Sequence, residues 1–183
     1  MKILNLVFGI LFLGTMYYAV YLGNLQTVLA EKTNPEFNYL TFEMAPDRDF
    51  SKALFASIHK NGMSAIAQET LDEDVWFILF YVSSTVLGWM LLLKKFSVNK
   101  NWIFILIAIL GIAAGVCDTI ENGHLASLLT DWESAADSGS VEKASFFAKI
   151  KFAIIMPLVL GGLLGWIYFF GKKGVGFFKE KKS

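Results

Sequence analysis

The sequence predicts an all-α, polytopic membrane protein, with four transmembrane helices and a helical extracytoplasmic cap between helices 1 and 2. Three observations predict it. Hydrophobic residues make up 55% of the 183-residue chain, and the mean hydropathy is +0.53. They gather into four runs, each close to the roughly 20 apolar residues that cross a bilayer as a helix. The charges then sort by segment. Lys2, Lys94, Lys95, Lys100, Lys172, Lys173, Lys179, Lys181 and Lys182 share their segments with one acid, Glu180, and the other 15 acids fall between those segments.

The first run covers about residues 3–22. Lys2 gives it a basic start, as in a signal peptide, but the run continues to Asn24 with no small-x-small cleavage site, so it reads as a retained helix. The outer segment that follows, about 24–74, is too long for a plain connector. Within it, residues 46–62 carry acids early, a lysine late and Gly62 as a stop, which are helix boundary signals. Phe50, Leu54, Ser57 and Ile58 fall on one face with Ala53 beside them, and Met63, Ile66, Ala67 and Leu71 repeat the spacing. Two arrangements stay open: an amphipathic cap lying on the outer membrane face, or a small helical subdomain packed on the bundle top.

The second run, 75–93, contains no charge. The third, 102–124, is apolar to Cys117 and then turns polar. Residues 130–143 are polar and rich in small residues, which predicts an exposed loop. The fourth run, 152–170, holds Pro157 followed by Gly161, Gly162 and Gly165, a pattern for close helix contact. The tail, 171–183, is basic, with Phe177 and Phe178 among its lysines, and suits the inner leaflet surface. Lysine-rich segments face the cytoplasm. Both termini are therefore expected there, in a multi-pass protein of the cell (inner or plasma) membrane that forms one membrane domain over residues 1–183.

Composition also narrows the function. Arg48 is the only arginine, so a basic nucleic-acid face and an arginine-built phosphate clamp are both missing. No Walker, H-E-x-x-H or C-x-x-C motif occurs, and no organic cofactor is expected. The single cysteine, Cys117, permits no intrachain disulfide. Membrane lipids are the expected surroundings.

The third run holds the main clue. Asp118, Glu121 and Asn122 sit in a segment long enough to span a bilayer. A carboxylate at the bilayer centre costs from about 2.5 to more than 10 kcal/mol, so such residues are paired, cavity-facing or part of a site. Ala114, Asp118, Glu121 and Leu125 share a helix face, with Gly111, Gly115, Asp118 and Asn122 on the adjoining stripe. Asp118 lies about 24 Å along the helix from Trp102 at 1.5 Å per residue, in the outer part of the bilayer. Lys151 or Lys149 opens the fourth helix at that level, and Asp74, with Tyr81 two turns inward, opens the second. Glu43, flanked by apolar residues, is placed to fold back onto the cluster. The expected site has Asp118 and Glu121 as acid–base groups, with Asn122, Lys151, Glu43, Asp74 and Tyr81 lining a pocket. Asp118, Glu121 and His124 also form a D-x-x-E-x-x-H run. Glu-x-x-His serves bundle di-metal sites, but there it occurs twice. Here it occurs once, and no metal is expected. Gly111/Gly115 and Gly161/Gly165 offer small-residue faces to a second copy or a partner membrane protein.

The fragments TFEMAP at 41–46, DVWFILFY at 74–81 and AGVCDTIENGHL at 114–125, with a lysine opening the last helix, resemble an uncharacterised family of small four-helix bacterial integral membrane proteins. The resemblance implies Glu43, Asp74, Asp118, Glu121, Asn122 and Lys151 as a shared polar set. That family has no established activity, and His124 stands outside its pattern.

Three functions follow as expectations. The first is an outward-facing polar pocket that binds or acts on a lipid-like or small amphipathic molecule. The second is a non-enzymatic interaction or accessory subunit whose buried charges hold helices together. The third is a proton-coupled carrier or channel. No charge lies between Ile103 and Cys117 to continue a polar path inward, which ranks the third last.

Overall fold

The computed structural model describes residues 2–34, 44, 47–96 and 101–180, with side chains up to 172. Glu43 lies outside the described residues. Six helices are present among them, and no strand. They are α1 (Lys2–Lys32), α2 (Arg48–Lys60), α3 (Ser64–Lys95), α4 (Asn101–Thr130), α5 (Trp132–Asp137) and α6 (Ser140–Glu180). Four are long and apolar enough to cross a membrane: α1, α3, α4 and the Ser140–Lys172 part of α6. This is an all-α fold of the multi-pass membrane kind.

Each apolar run lies inside a longer helix. The chain from Ser64 to Leu87 contains neither glycine nor proline. Nothing stops the helix there, so the expected cap segment 63–71 and the second run merge into α3. Its Asp72, Glu73 and Asp74 are helix-interior residues rather than a boundary. At 31, 32, 30 and 41 residues, the four long helices all exceed what a bilayer needs. Their surplus turns build the cap.

The cap is a helical subdomain with its own apolar core. Leu29 of α1, Leu54, Phe55 and Ile58 of α2, and Ala67 of α3 meet Leu125, Leu128 and Leu129 of α4. Ala135 and Ala136 of α5 and Val141 and Ala144 of α6 complete it. Local signals set α2. Asp47 caps its start by accepting from Phe50 N at 3.0 Å, and Gly62, at φ +70°, turns the chain after it. Its buried face is Ser51, Leu54, Phe55, Ser57 and Ile58, so Phe55 takes the place expected for Ala53.

Residues 130–143 do not form the exposed loop that their polarity predicts. Asp131 caps α5 through Ser134 N, Gly139 at φ +83° reverses the chain, and α6 begins at once with Val141 buried. Long-range polar contacts fasten the cap. Lys52 pairs with Asp137 and Arg48 with Glu142. Asn61 Nδ2 donates to Lys32 O at 2.6 Å. His59 Nε2 lies 2.7 Å from Leu129 O, covering a carbonyl left open at the end of α4.

In the bundle, α3 is central and packs against α1, α4 and α6, while α1 packs mainly on α3. Ile3, Leu6, Ile10, Leu13, Tyr17 and Val20 leave an apolar face of α1 exposed. Small residues set the spacing elsewhere. A Cβ on Gly111 would come within 2.8 Å of Val86, and one on Gly115 within 3.1 Å of Val82. Gly161 lies against Trp89 and Gly165 against Leu92 in the same way. The glycine faces expected to receive another protein are therefore filled by α3 of the same chain. Trp89 Nε1 also donates to Leu158 O at 2.8 Å, beside Pro157. These contacts give the α6 glycine run a packing role.

Candidate functional site

The buried stripe of α4 runs through Ile107, Gly111, Ala114, Gly115, Asp118, Glu121, Asn122 and Leu125. Ile105, Ile109, Ile112, Val116 and Ile120 occupy the exposed side. The polar residues thus continue the face that packs on other helices. The matching stripe of α6 is Val141, Ala144, Ala148, Lys151, Ile155 and Leu158, all buried. That spacing selects Lys151 over Lys149, which is exposed. From α3 come Asp74 and Tyr81, seven residues apart on one face.

The three helices bring these groups together. Lys151 Nζ donates to Asp118 Oδ1 at 2.8 Å and lies 2.7 Å from Glu121 Oε2. Tyr81 OH donates to the other Asp118 oxygen, Oδ2, at 2.9 Å. Asn122 Nδ2 donates to Asp74 Oδ2 at 2.7 Å. One ammonium thereby sits between two carboxylates one helical turn apart, which would otherwise repel each other. Both Asp118 oxygens are engaged, by donors from two different helices.

The cluster is sealed. Glu121 is 0% exposed, Asp118 3%, Lys151 6%, and Asn122 and Tyr81 8% each, while Asp74 is half-buried at its edge. Its apolar wall is Ile78, Ala114 and Ile155, with Phe77, Val82, Phe152 and Ile154 packed against them. The Lys151 ammonium also lies 5.0 Å from the Phe152 ring centroid. One atom stands out: Asn122 Oδ1 is buried and has no hydrogen-bond donor among the described residues.

Of the expected site residues, Tyr81, Asp118, Glu121 and Lys151 are joined by direct contacts, and Asn122 and Asp74 form a second pair between α4 and α3. His124 instead stacks on Phe147, with ring centroids 6.4 Å apart. Among the described residues, no group of three His, Cys, Asp or Glu side chains is placed to hold a metal ion. Sequence reasoning missed Phe152 and Ile155, although their place on the α6 stripe beside Lys151 is a usable signal. It also missed the cap role of His59, which depends on a contact 70 residues away and leaves no local mark.

Chemically, the arrangement is an ion-pair hub linking α3, α4 and α6. Buried charges persist when their partners and hydrogen bonds are well placed, and they become costly when one partner is removed. An acid–base dyad would need a route for water or substrate to groups that lie between 0% and 8% exposed. No family model, curated protein or solved structure matches the chain.

Proposed function

We propose that this chain is a non-enzymatic interaction or accessory protein of the cell membrane, whose charged cluster locks three membrane helices beneath the cap. One observation carries the reading. Glu121 is fully buried and paired across helices with Lys151, which also holds Asp118. A network closed in this way fixes which helices meet and at what register. The lysines at the chain ends and between α3 and α4 support placing both termini in the cytoplasm and the cap outside. The test pairs two readouts on the full-length protein in mild detergent. Glu121→Gln should lower the melting temperature, and wild type should co-purify with a membrane partner in fixed stoichiometry. Unchanged melting in Glu121→Gln removes the reading.

A second reading is favoured by Asn122 Oδ1. In it, Asp118 and Glu121 anchor or act on a lipid-like or small amphipathic molecule at the outer leaflet. A buried acceptor is satisfied by a donor, and a ligand's polar group can supply one.

A further inference from the structure

Helix α1 differs from the other long helices in how little of it the chain covers. In its apolar 18-residue stretch no residue is buried, against 33% of the corresponding stretch of α4. One side packs on α3. A Cβ on Gly88 would come within 3.0 Å of Phe8, Thr15 Oγ1 lies 3.1 Å from Ser84 Oγ, and the Tyr18 and Phe80 rings stack 5.5 Å apart. Buried Leu22 and Leu29 continue that side outward. Phe8, Thr15, Leu22 and Leu29 are spaced by sevens, so α1 meets α3 along a 3.5-residue period.

The opposite side keeps the same period. Ile3, Ile10, Tyr17 and Asn24 take one heptad position, and Leu6, Leu13, Val20 and Thr27 take the other. All eight are exposed, and each residue from Ile3 to Val20 in this set is at least 58% exposed. The stripe runs about 36 Å at 1.5 Å per residue. Its six large side chains expose an area on the order of 800 Å², which is what one partner gives to a standard interface. Spacing alone does not single out this face, because Ile105, Ile109, Ile112 and Val116 repeat it on the exposed side of α4. Side-chain shape does. In two parallel helices the first position favours β-branched residues and the second favours leucine. Ile3 with Leu6 and Ile10 with Leu13 follow that rule, whereas α4 has β-branched residues at both positions. A single asparagine at the first position fixes register between identical helices, and Asn24 stands there one heptad beyond Tyr17. The next such position is Glu31, whose charge would repel its own copy and ends the stripe. Copies inserted with one orientation run their α1 helices parallel, so each position meets its twin across a twofold axis.

We propose that the exposed α1 face pairs with α1 of a second copy of this chain, as a parallel two-stranded coil about an axis along the membrane normal. The surface lies outside the α3–α4–α6 hub, so the proposal rests on neither reading of that cluster.

The test uses the full-length protein in vesicles of phosphatidylethanolamine and phosphatidylglycerol. Copies labelled at the C-terminus with donor or acceptor dye are mixed at falling protein-to-lipid ratios. Energy transfer should persist on dilution, above the level of random proximity. Ile10→Ala combined with Leu13→Ala should weaken the association about tenfold, and Ile109→Ala combined with Ile112→Ala on α4 should leave it unchanged. Disulfide trapping with a membrane-permeant oxidant gives a second readout that does not depend on weakening the dimer. In a Cys117→Ser background, Ile10→Cys, Leu13→Cys, Tyr17→Cys and Val20→Cys should each trap a dimer. Phe12→Cys and Ala19→Cys, exposed but on the flank away from the seam, should not. Transfer no greater than random proximity, with no trapped dimer, overturns the proposal and gives the face to lipid. A dimer trapped through Phe12→Cys and Ala19→Cys, or weakened by the α4 pair instead, overturns the α1 seam. A fixed-stoichiometry complex with a different protein, without self-association, overturns the second copy as occupant.

Discussion

The cap and the membrane bundle share the same four long helices, yet they are held together by different physics. The cap core is built from leucine, isoleucine, valine, phenylalanine and alanine contributed by all six helices. Burying such side chains away from water is favourable by itself, at about 25 cal/mol per Å² of apolar surface. The bundle interior around the cluster is smaller: Ile78, Tyr81, Ala114 and Ile155. Within a bilayer, another leucine offers little that a lipid tail does not. Association there relies on close packing at small residues and on polar contacts. The glycines of α4 and α6 and the Asp118–Lys151–Glu121 hub supply these two things. The lesson is that a substitution should be judged by the solvent its segment faces, even within one helix.

The largest effect is expected where the bundle relies on charge. Lys151→Met strands two buried carboxylates and should destabilise the protein by about 3–5 kcal/mol. Chemical unfolding in mixed micelles reads this directly, and a variant as stable as wild type would dissolve the contrast. In the cap, Leu54→Ala empties a site with no exposed surface and should cost about 2–5 kcal/mol. If the two regions are as distinct as described, limited proteolysis of that variant will open the cap first and leave the bundle protected. Third comes packing at α4. Gly111→Ala drives a methyl to within 2.8 Å of Val86, a stiff β-branched neighbour, and should cost about 1–3 kcal/mol. Gly9→Ala meets nothing within 4 Å and serves as the silent control.

The smallest effect belongs to the cap surface. The Arg48 hydrogen bond holds the Glu142 carboxyl below its ordinary value of 4.5. A depressed acid contributes stability above its unfolded value and loses it as pH falls through the folded one. The pair should therefore help at neutral pH and stop helping once pH drops well below 4.5. Both side chains are about half exposed, so Arg48→Ala should cost no more than about 1 kcal/mol, and less in high salt. Melting curves at pH 7 and pH 3 should show the difference between wild type and Arg48→Ala shrinking in acid.

Much of this was legible in the sequence. Apolar run length revealed the four long helices, and the 3.6-residue period placed Asp118, Glu121 and Asn122 on the packing face of α4. Helix ends were harder. The acidic run at 72–74 looks like a boundary, but charges are at home inside a helix once it has left the bilayer. Residues 130–143 look like a loop because they are polar and rich in small residues. Asp131 as a helix cap and the apolar Ala135, Ala136, Val141 and Ala144 carry the opposite signal, and these four apolar residues become buried. The choice between a cap lying on the membrane and a packed subdomain could not be read locally. It depends on the ends of α1, α3, α4 and α6 meeting in space. The sealing of the cluster has the same origin, since it needs three helices in register.

The most direct test of the central claim is a stability comparison of wild type, Lys151→Met and the triple variant Asp118→Asn, Glu121→Gln, Lys151→Met under one set of unfolding conditions. If the cluster is a closed ion-pair hub, Lys151→Met falls far below wild type. The triple variant, which removes both signs of charge together, should then recover to within about 1 kcal/mol of wild type. A triple variant less stable than Lys151→Met, or a Lys151→Met that unfolds like wild type, would contradict the account.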